Sequence, residues 1–166
     1  MQIHRQVVFE VPSSLDCAAA VAFVRDVEQS LSQADFLEAL QQDGDQVGAS
    51  LPVNAALFGQ HKLRFRSRLS PTPSGGRLEG LDLDDVPGWA RVSGEADVVP
   101  TPGGCRLDYR FEIEIHLAVP EAERWGGRAL LKMIEVTADR TLARVAERFP
   151  DAVRSAARAY EALVAA

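Results

Sequence analysis

The chain has 166 residues, which is close to the size of a single domain. Its 46% hydrophobic and 25% charged residues are ordinary for a globular protein and exclude a collagen-like or disordered chain. The net charge of −6 argues against nucleic-acid binding, which depends on Lys and Arg contacts to phosphates. We find no signal peptide and no apolar stretch long enough to cross a bilayer, so we expect a cytoplasmic protein without a stable membrane anchor.

A strand and a short helix are the first elements in the chain. Alternation over residues 3–11 predicts a strand whose apolar face is formed by Ile3, Val7, Phe9 and Val11. After this strand, either Ser13 or Ser14 can act as the N-cap of a helix. The helix itself is predicted because apolar residues from Leu15 to Val27 recur at spacings of three and four.

Further alternating segments follow in the middle of the chain. Residues 46–54 form a short strand, and residues 61–69 and 77–83 form a hairpin around the turn sequence SPTPSGG. Residues 91–99 and 105–117 form a second hairpin around a Pro- and Gly-rich turn. Charged residues alternate with apolar ones in residues 61–69 and 105–117 and lie on one face, which is typical of an antiparallel sheet with one solvated face.

The C-terminal quarter of the chain changes to a helical period. From about Trp125 to Phe149 the apolar residues form a stripe along one side, which predicts a long amphipathic helix. We expect Pro150 to end this helix, because proline cannot continue the hydrogen-bond ladder. Residues 150–166 are then a short helical extension, which docks on the sheet or pairs with a second copy, and residues 1–149 are the main domain.

This order of elements predicts an α+β fold, in which a curved antiparallel sheet of about six to seven strands wraps around the long C-terminal helix. The string VFEVPSSLDCAAAVAFVRDVEQSLSQADFL resembles the coenzyme Q-binding and polyketide cyclase-like branches of the START-like (SRPBCC, helix-grip) superfamily. The string GGCRLDYRFEIEIHLAVP, followed by a helix from WGGRALLKMI, is similar to the G-subunit family of carbon monoxide dehydrogenase. The resemblance covers about residues 1–149 and implies a hydrophobic tunnel between the sheet and the long helix.

Inward-facing residues of the long strands and the long helix are the candidates for the wall of this tunnel. The cavity-lining candidates are Leu63, Phe65, Ser67, Val92, Ala96, Val98, Tyr109, Phe111, Ile113, Met133, Ile134 and Thr137. Ser67, Tyr109 and Thr137 would supply the few polar groups that orient a ligand in an apolar pocket. A packed core without a cavity is the alternative for each of them, because protein interiors are generally close-packed.

Patterns that would indicate catalysis or metal binding are not found in the sequence. No ligand spacing connects the possible nitrogen and sulfur donors His4, His61, His116, Cys17 and Cys105. We expect both cysteines to be small core residues. Tyr109 would need a neighbouring carboxylate to act as a general acid, and strand parity places Asp108 and Glu112 on the opposite face. We therefore predict no metal, no cofactor and no catalytic residue.

The leading functional hypothesis is non-enzymatic binding of a hydrophobic small molecule, such as a lipid, a quinone or a polyketide-like compound, between the sheet and the long helix. Two alternatives remain open. One is an enzyme of the polyketide cyclase or dehydratase type that uses Ser67, Tyr109 or Thr137 as proton donors. The other is an assembly or protein-interaction module with a filled cavity, which would form a homodimer through residues 151–166.

Overall fold

The computed structural model describes residues 1–54, 60–118 and 127–166. Seven strands form one sheet, in the order β1-β7-β6-β5-β4-β3-β2, and all neighbours in this order are antiparallel. The strands are β1 (Gln2–Ser13), β2 (Glu38–Asp43), β3 (Gln46–Asn54), β4 (Gln60–Thr72), β5 (Gly75–Leu81), β6 (Gly88–Thr101) and β7 (Gly104–Leu117). The helices are α1 (Cys17–Arg25), α2 (Val27–Ser30) and α3 (Gly127–Ala165). The predicted α+β architecture with a curved sheet and a long C-terminal helix is confirmed.

Strand β7 lies between β1 and β6 in the sheet. It pairs along its length with β1 on one side and with β6 on the other, so that Tyr109 lies opposite both Phe9 and Ala96. Its burial alternates residue by residue, as the sequence predicted, because successive side chains point to opposite faces of the sheet. The inward face of β7 is therefore a continuous apolar surface in the middle of the core.

Opposite charges are paired on the outer face of the sheet. Arg77 of β5 lies 2.7 Å from Glu95 of β6, and Lys62 of β4 lies 2.7 Å from Glu38 of β2. These side chains are all substantially exposed, so each pair contributes little to stability. The pairing supports the interpretation of the alternating Arg residues of β4 as part of a solvated face.

Local capping differs from the sequence-based expectation at the start of α1. The N-cap is Asp16, whose carboxylate accepts a hydrogen bond of 2.8 Å from the backbone N–H of Ala19. Ser13 belongs to β1 instead, and its hydroxyl donates to Glu161 of α3 at 2.7 Å. The prediction of a serine N-cap is therefore wrong, because strand pairing carries β1 as far as Ser13 and delays the helix by two to three residues.

The predicted end of the long helix at Pro150 is also wrong, because α3 continues through this residue to Ala165. Beyond the proline, four further residues are buried in the core: Ala152, Val153, Ala156 and Ala157. Tyr160 follows them and packs against Phe23 of α1, with ring centroids 5.3 Å apart. Burial of this second half stabilises the helix across the proline. The predicted start of the helix near Trp125 lies outside the described residues.

We expect replacement of Pro150 by Ala to raise the free energy of unfolding. Proline inside a helix lacks one backbone donor and is about 3 kcal/mol less favourable than Ala. Part of this difference is offset by lost contacts of the half-buried ring, so we expect a gain of about 1–3 kcal/mol in chemical denaturation. Glu147→Ala, at an exposed position one turn earlier, serves as the control and should change stability little. A loss of stability in Pro150→Ala would contradict this interpretation.

Candidate functional site

Two small cavities lie inside the concave face of the sheet. The first cavity is enclosed by five strands and by helices α2 and α3. Its lining residues are Val27, Leu31, Phe36, Leu37, Val47, Leu51, Phe65, Leu78, Ala90, Val92, Phe111, Ile113, Val145 and Phe149. Every one of these side chains is a hydrocarbon, so the first cavity offers no side-chain hydrogen bond to a ligand.

The second cavity adjoins the first, and the two share Val27, Leu31, Leu78 and Phe111 as lining residues. The other lining residues are Val24, Ser30, Leu69, Gly76, Gly94, Glu95, Ala96 and Tyr109. The wall of the second cavity is thus mostly apolar but contains a buried tyrosine and a buried serine. The two cavities together form one apolar region with a polar end.

Both cavities are small in the described conformation. Each has a volume of about 30 Å³, whereas pockets for drug-sized ligands have roughly 300–1,000 Å³. A volume of this size accommodates a single water molecule. The described conformation is therefore closed, and a larger molecule would bind only after the walls separate.

Tyr109 is the most unusual residue in this region. Its side chain is almost completely buried, and its hydroxyl has no hydrogen-bond partner among the described residues. The ring is held between Phe9, to which it is stacked at 5.0 Å and 7°, and Phe111, at 5.7 Å and 25°. Burial raises the pKa of the Tyr109 phenol well above its ordinary value, because desolvation disfavours the phenolate. The hydroxyl is therefore a protonated donor that belongs to a residue lining the second cavity.

The other polar side chains of the second cavity already have partners. The Ser30 hydroxyl donates to the backbone carbonyl of Val27 at 3.5 Å. The Glu95 carboxylate accepts a hydrogen bond of 2.8 Å from Arg77, and its side chain is about half exposed on the outer face. Glu95 is thus directed away from Tyr109, and neither residue can exchange a proton with the other inside the cavity.

Glycine at position 94 allows Phe111 to occupy its place in the wall. The two residues are directly paired between β6 and β7. A Cβ atom at position 94 would lie only 2.6 Å from a ring carbon of Phe111 and would also collide with the carbonyl of Arg110. The absence of a side chain at Gly94 therefore lets the Phe111 ring lie against β6, where it lines both cavities.

Six of the twelve cavity-lining candidates contribute to the two cavities. These are Phe65, Val92, Ala96, Tyr109, Phe111 and Ile113. Of the remaining strand candidates, Leu63 and Val98 are buried in the core without lining either cavity. Ser67 is completely buried and donates to the backbone carbonyl of Val92 at 2.7 Å, so its hydroxyl is already satisfied.

The three helical candidates lie in the first part of α3, residues 127–137, where every residue is exposed or half-buried. Met133 is 50% exposed, and Ile134 and Thr137 are half-buried. The Thr137 hydroxyl donates to the carbonyl of Met133 at 2.9 Å, within the helix. None of the three lines either cavity. The helix contributes Val145 and Phe149 instead, two residues that belong to the predicted apolar stripe but were not chosen as candidates.

Part of the lining could not be found from the sequence pattern. Phe36 and Leu37 follow α2 in a segment without strand or helix periodicity, yet both line the first cavity. Strand β2, which comes directly after them, was not identified as a separate element, because its residues are mostly polar. The sequence indicates burial at Phe36 only because an aromatic residue stands beside a leucine between two predicted elements.

The histidines and cysteines do not form a site in the described residues. Within the described ranges, no three His, Cys, Asp or Glu side chains are grouped closely enough to hold a metal ion. His116 stacks on Trp89 at 4.0 Å on the outer side of the sheet. Cys105 is buried as expected, and burial raises the pKa of its thiol, but Cys17 is exposed. The prediction that Cys17 is a core residue is wrong, because it occupies the solvent side of the first turn of α1.

A curved antiparallel sheet closed by a long C-terminal helix over an apolar interior defines a helix-grip protein. The chain belongs to the family described as "Protein of unknown function (DUF3809)", whose match covers residues 8–147. No curated protein matches the chain. Among the described residues, none of the helices contains a segment long and apolar enough to cross a membrane.

Solved structures with the same fold include an aromatase/cyclase and a di-domain ARO/CYC protein. The Zhui aromatase/cyclase from Streptomyces sp. R1128 aligns with a TM-score of 0.52 and 15% identity, over 95% of this chain and 94% of its own. The di-domain ARO/CYC BexL from the BE-7585A biosynthetic pathway aligns with a TM-score of 0.52 and 11% identity, over 93% of this chain. The match spans 50% of BexL, so this chain corresponds to about half of that protein. These similarities confirm the predicted helix-grip fold, and at such identities they concern the fold alone.

We expect Tyr109→Phe to raise the free energy of unfolding by about 1 kcal/mol at neutral pH, because it removes a buried hydroxyl that has no partner among the described residues. Tyr160→Phe is the matched control, since Tyr160 is half-buried and lines neither cavity. Urea denaturation followed by circular dichroism measures both variants. A clear loss of stability in Tyr109→Phe would mean that the hydroxyl has a partner, such as a buried water molecule.

The stability of the protein should also depend on Tyr109 at alkaline pH. Burial raises the pKa of Tyr109 in the folded chain, so its ionisation does not lower the free energy of unfolding below about pH 10, the ordinary tyrosine pKa. Above that pH the unfolded chain ionises Tyr109 while the folded chain keeps it protonated, and the free energy of unfolding falls. We expect a shallower fall in Tyr109→Phe, measured by denaturation between about pH 8 and 11. Parallel pH profiles for the wild type and the variant would contradict this.

Proposed function

We propose that the protein binds a hydrophobic small molecule in the apolar region between its sheet and helices, without chemical turnover. The observation that carries this proposal is the first cavity, an unfilled space whose lining among the described residues is entirely hydrocarbon and comes from five strands, two helices and the segment after α2. Apolar surface around an unfilled space loses dispersion contacts that a bound hydrophobic molecule would restore. The ligand class is a lipid, a quinone or a polyketide-like compound.

Binding of such a molecule requires the closed walls to separate. The first part of α3, residues 127–137, contains no fully buried residue, whereas Ala138, Leu142, Val145 and Phe149 further along are buried. Residues 127–137 line neither cavity, and α3 reaches the first cavity through Val145 and Phe149. We propose that the ligand selects a more open conformation in which the walls around these two residues have separated.

The absence of turnover is proposed from the surroundings of Tyr109. Among the described residues that line the two cavities, Glu95 is the other ionisable side chain, and its carboxylate is bound to Arg77 on the outer face. General acid and base catalysis requires a proton acceptor within hydrogen-bond reach of the donor. The aromatase/cyclase names of the two structural relatives therefore support a shared type of ligand more than a shared reaction.

A cavity-filling substitution tests this proposal. Val47→Ile adds one methylene group to the wall of the first cavity, which offers only about 30 Å³. We expect native mass spectrometry and solvent extraction to find a hydrophobic molecule bound to the wild type purified from its host, with several-fold lower occupancy in the variant. Val7→Ile is the matched control, because Val7 is buried but lines neither cavity.

A protein-interaction role is the second candidate function. It is favoured by the small volume of both cavities, since a fully packed interior leaves only the surface for function. Leu163 and Val164, which are 67% and 52% exposed near the end of α3, are apolar residues available for such a contact. A wild-type protein that carries no bound molecule, and that Val47→Ile leaves unchanged, would favour this candidate over ligand binding.

A further inference from the structure

We propose that Tyr109 determines which hydrophobic molecules the protein binds, by donating a hydrogen bond to an uncharged carbonyl oxygen of the ligand. This inference rests on the proposed function and narrows its ligand class. We expect ketones and quinones to bind more tightly than plain hydrocarbons or carboxylates. It starts from a buried hydroxyl that has no partner among the described residues and belongs to a residue lining an unfilled space. Buried polar groups in native proteins nearly always have a partner, so an exception requires an explanation.

The position of the hydroxyl is fixed before any ligand binds. Phe9 stacks on the Tyr109 ring at 5.0 Å and 7°, and Phe111 contacts it at 5.7 Å. Phe111 in turn packs against Phe149 of α3 at 4.9 Å, so the aromatic group connects the sheet to the long helix. A donor held in this way loses little conformational entropy when it forms a hydrogen bond. The aromatic surroundings also suit a planar ligand, because flat rings stack on such side chains.

The wall of the second cavity favours a neutral acceptor. An anionic ligand would place a charge among apolar side chains, and no Lys or Arg lines either cavity in the described part of the chain. A ligand hydroxyl or amide would bring a donor of its own, and the side-chain acceptors for it are limited to the hydroxyl oxygens of Ser30 and Tyr109, because the Glu95 carboxylate is bound to Arg77 on the outer face. A carbonyl oxygen needs only one donor and leaves no group unpaired.

A buried water molecule is the main competing partner for the hydroxyl. The second cavity is large enough for one water, at about 30 Å³. A buried water, however, typically makes about three hydrogen bonds, and the second cavity offers it few free side-chain groups besides Tyr109. A ligand carbonyl that forms one hydrogen bond and otherwise contacts hydrocarbon fits this wall better than a water does.

A matched pair of neutral probes tests the inference. 1-Tetralone and its parent hydrocarbon tetralin have the same ring skeleton and differ by one carbonyl group. Their dissociation constants are measured by NMR titration against the wild type, Tyr109→Phe and the control Tyr160→Phe. We expect Tyr109→Phe to weaken binding of 1-tetralone about five- to tenfold, as loss of one hydrogen bond predicts, and to leave tetralin binding unchanged. The carbonyl ¹³C resonance of bound 1-tetralone should also lose its hydrogen-bond shift in Tyr109→Phe alone.

The possible outcomes separate this inference from the proposed function. If both probes bind and Tyr109→Phe changes their affinities equally or not at all, the interior binds apolar molecules but Tyr109 does not select them, and the inference is wrong. The same conclusion follows if Tyr160→Phe has an equal effect on 1-tetralone. If neither probe binds the wild type, the inference and the proposed function are both wrong.

Discussion

The packing of Phe149 is the contact on which the rest of the structure depends. Its ring lies 4.9 Å from Phe111 of β7, 5.8 Å from Phe9 of β1 and 5.7 Å from Phe36 after α2. One side chain of α3 thus joins β7, the edge strand β1 and the segment that leads into β2. Because sheet curvature brings these three elements around the helix, the same contact that closes the core also forms part of the wall of the first cavity.

The interior is closely packed except for two small cavities. Two cavities of about 30 Å³ are small for a binding site, yet they are continuous in their lining and include a tyrosine hydroxyl without a partner among the described residues. Leaving such a hydroxyl unpaired destabilises the folded chain, and this cost is the basis of the ligand selection proposed for Tyr109. Helix α3 combines a firmly buried second half with a sparsely buried first part, residues 127–137.

Much of the architecture could be predicted because alternation in a strand is a local property of the sequence. The faces of β1, β3, β4, β6 and β7 followed from counting every second residue, and six of the candidates they supplied line the cavities. The helical candidates did not reach the cavities, since periodicity defines the face of a helix but not how far along the helix the sheet extends. Phe36 and Leu37 had no periodic signal at all. Pro150 indicated a helix end, but burial of Val153 and Ala157 overrides that local preference.

The sequence by itself determined the α+β class, the inward faces of the strands and the presence of a long amphipathic helix, because these depend on residue spacing alone. Only the tertiary structure decided the volume of the interior, since it depends on sheet curvature and on where Phe111 and Phe149 pack. It also decided that the hydroxyl of Ser67 is satisfied while that of Tyr109 has no partner in the described part of the chain. Both residues lie on inward faces, and the difference arises because Ser67 lies within hydrogen-bond distance of a backbone carbonyl, that of Val92.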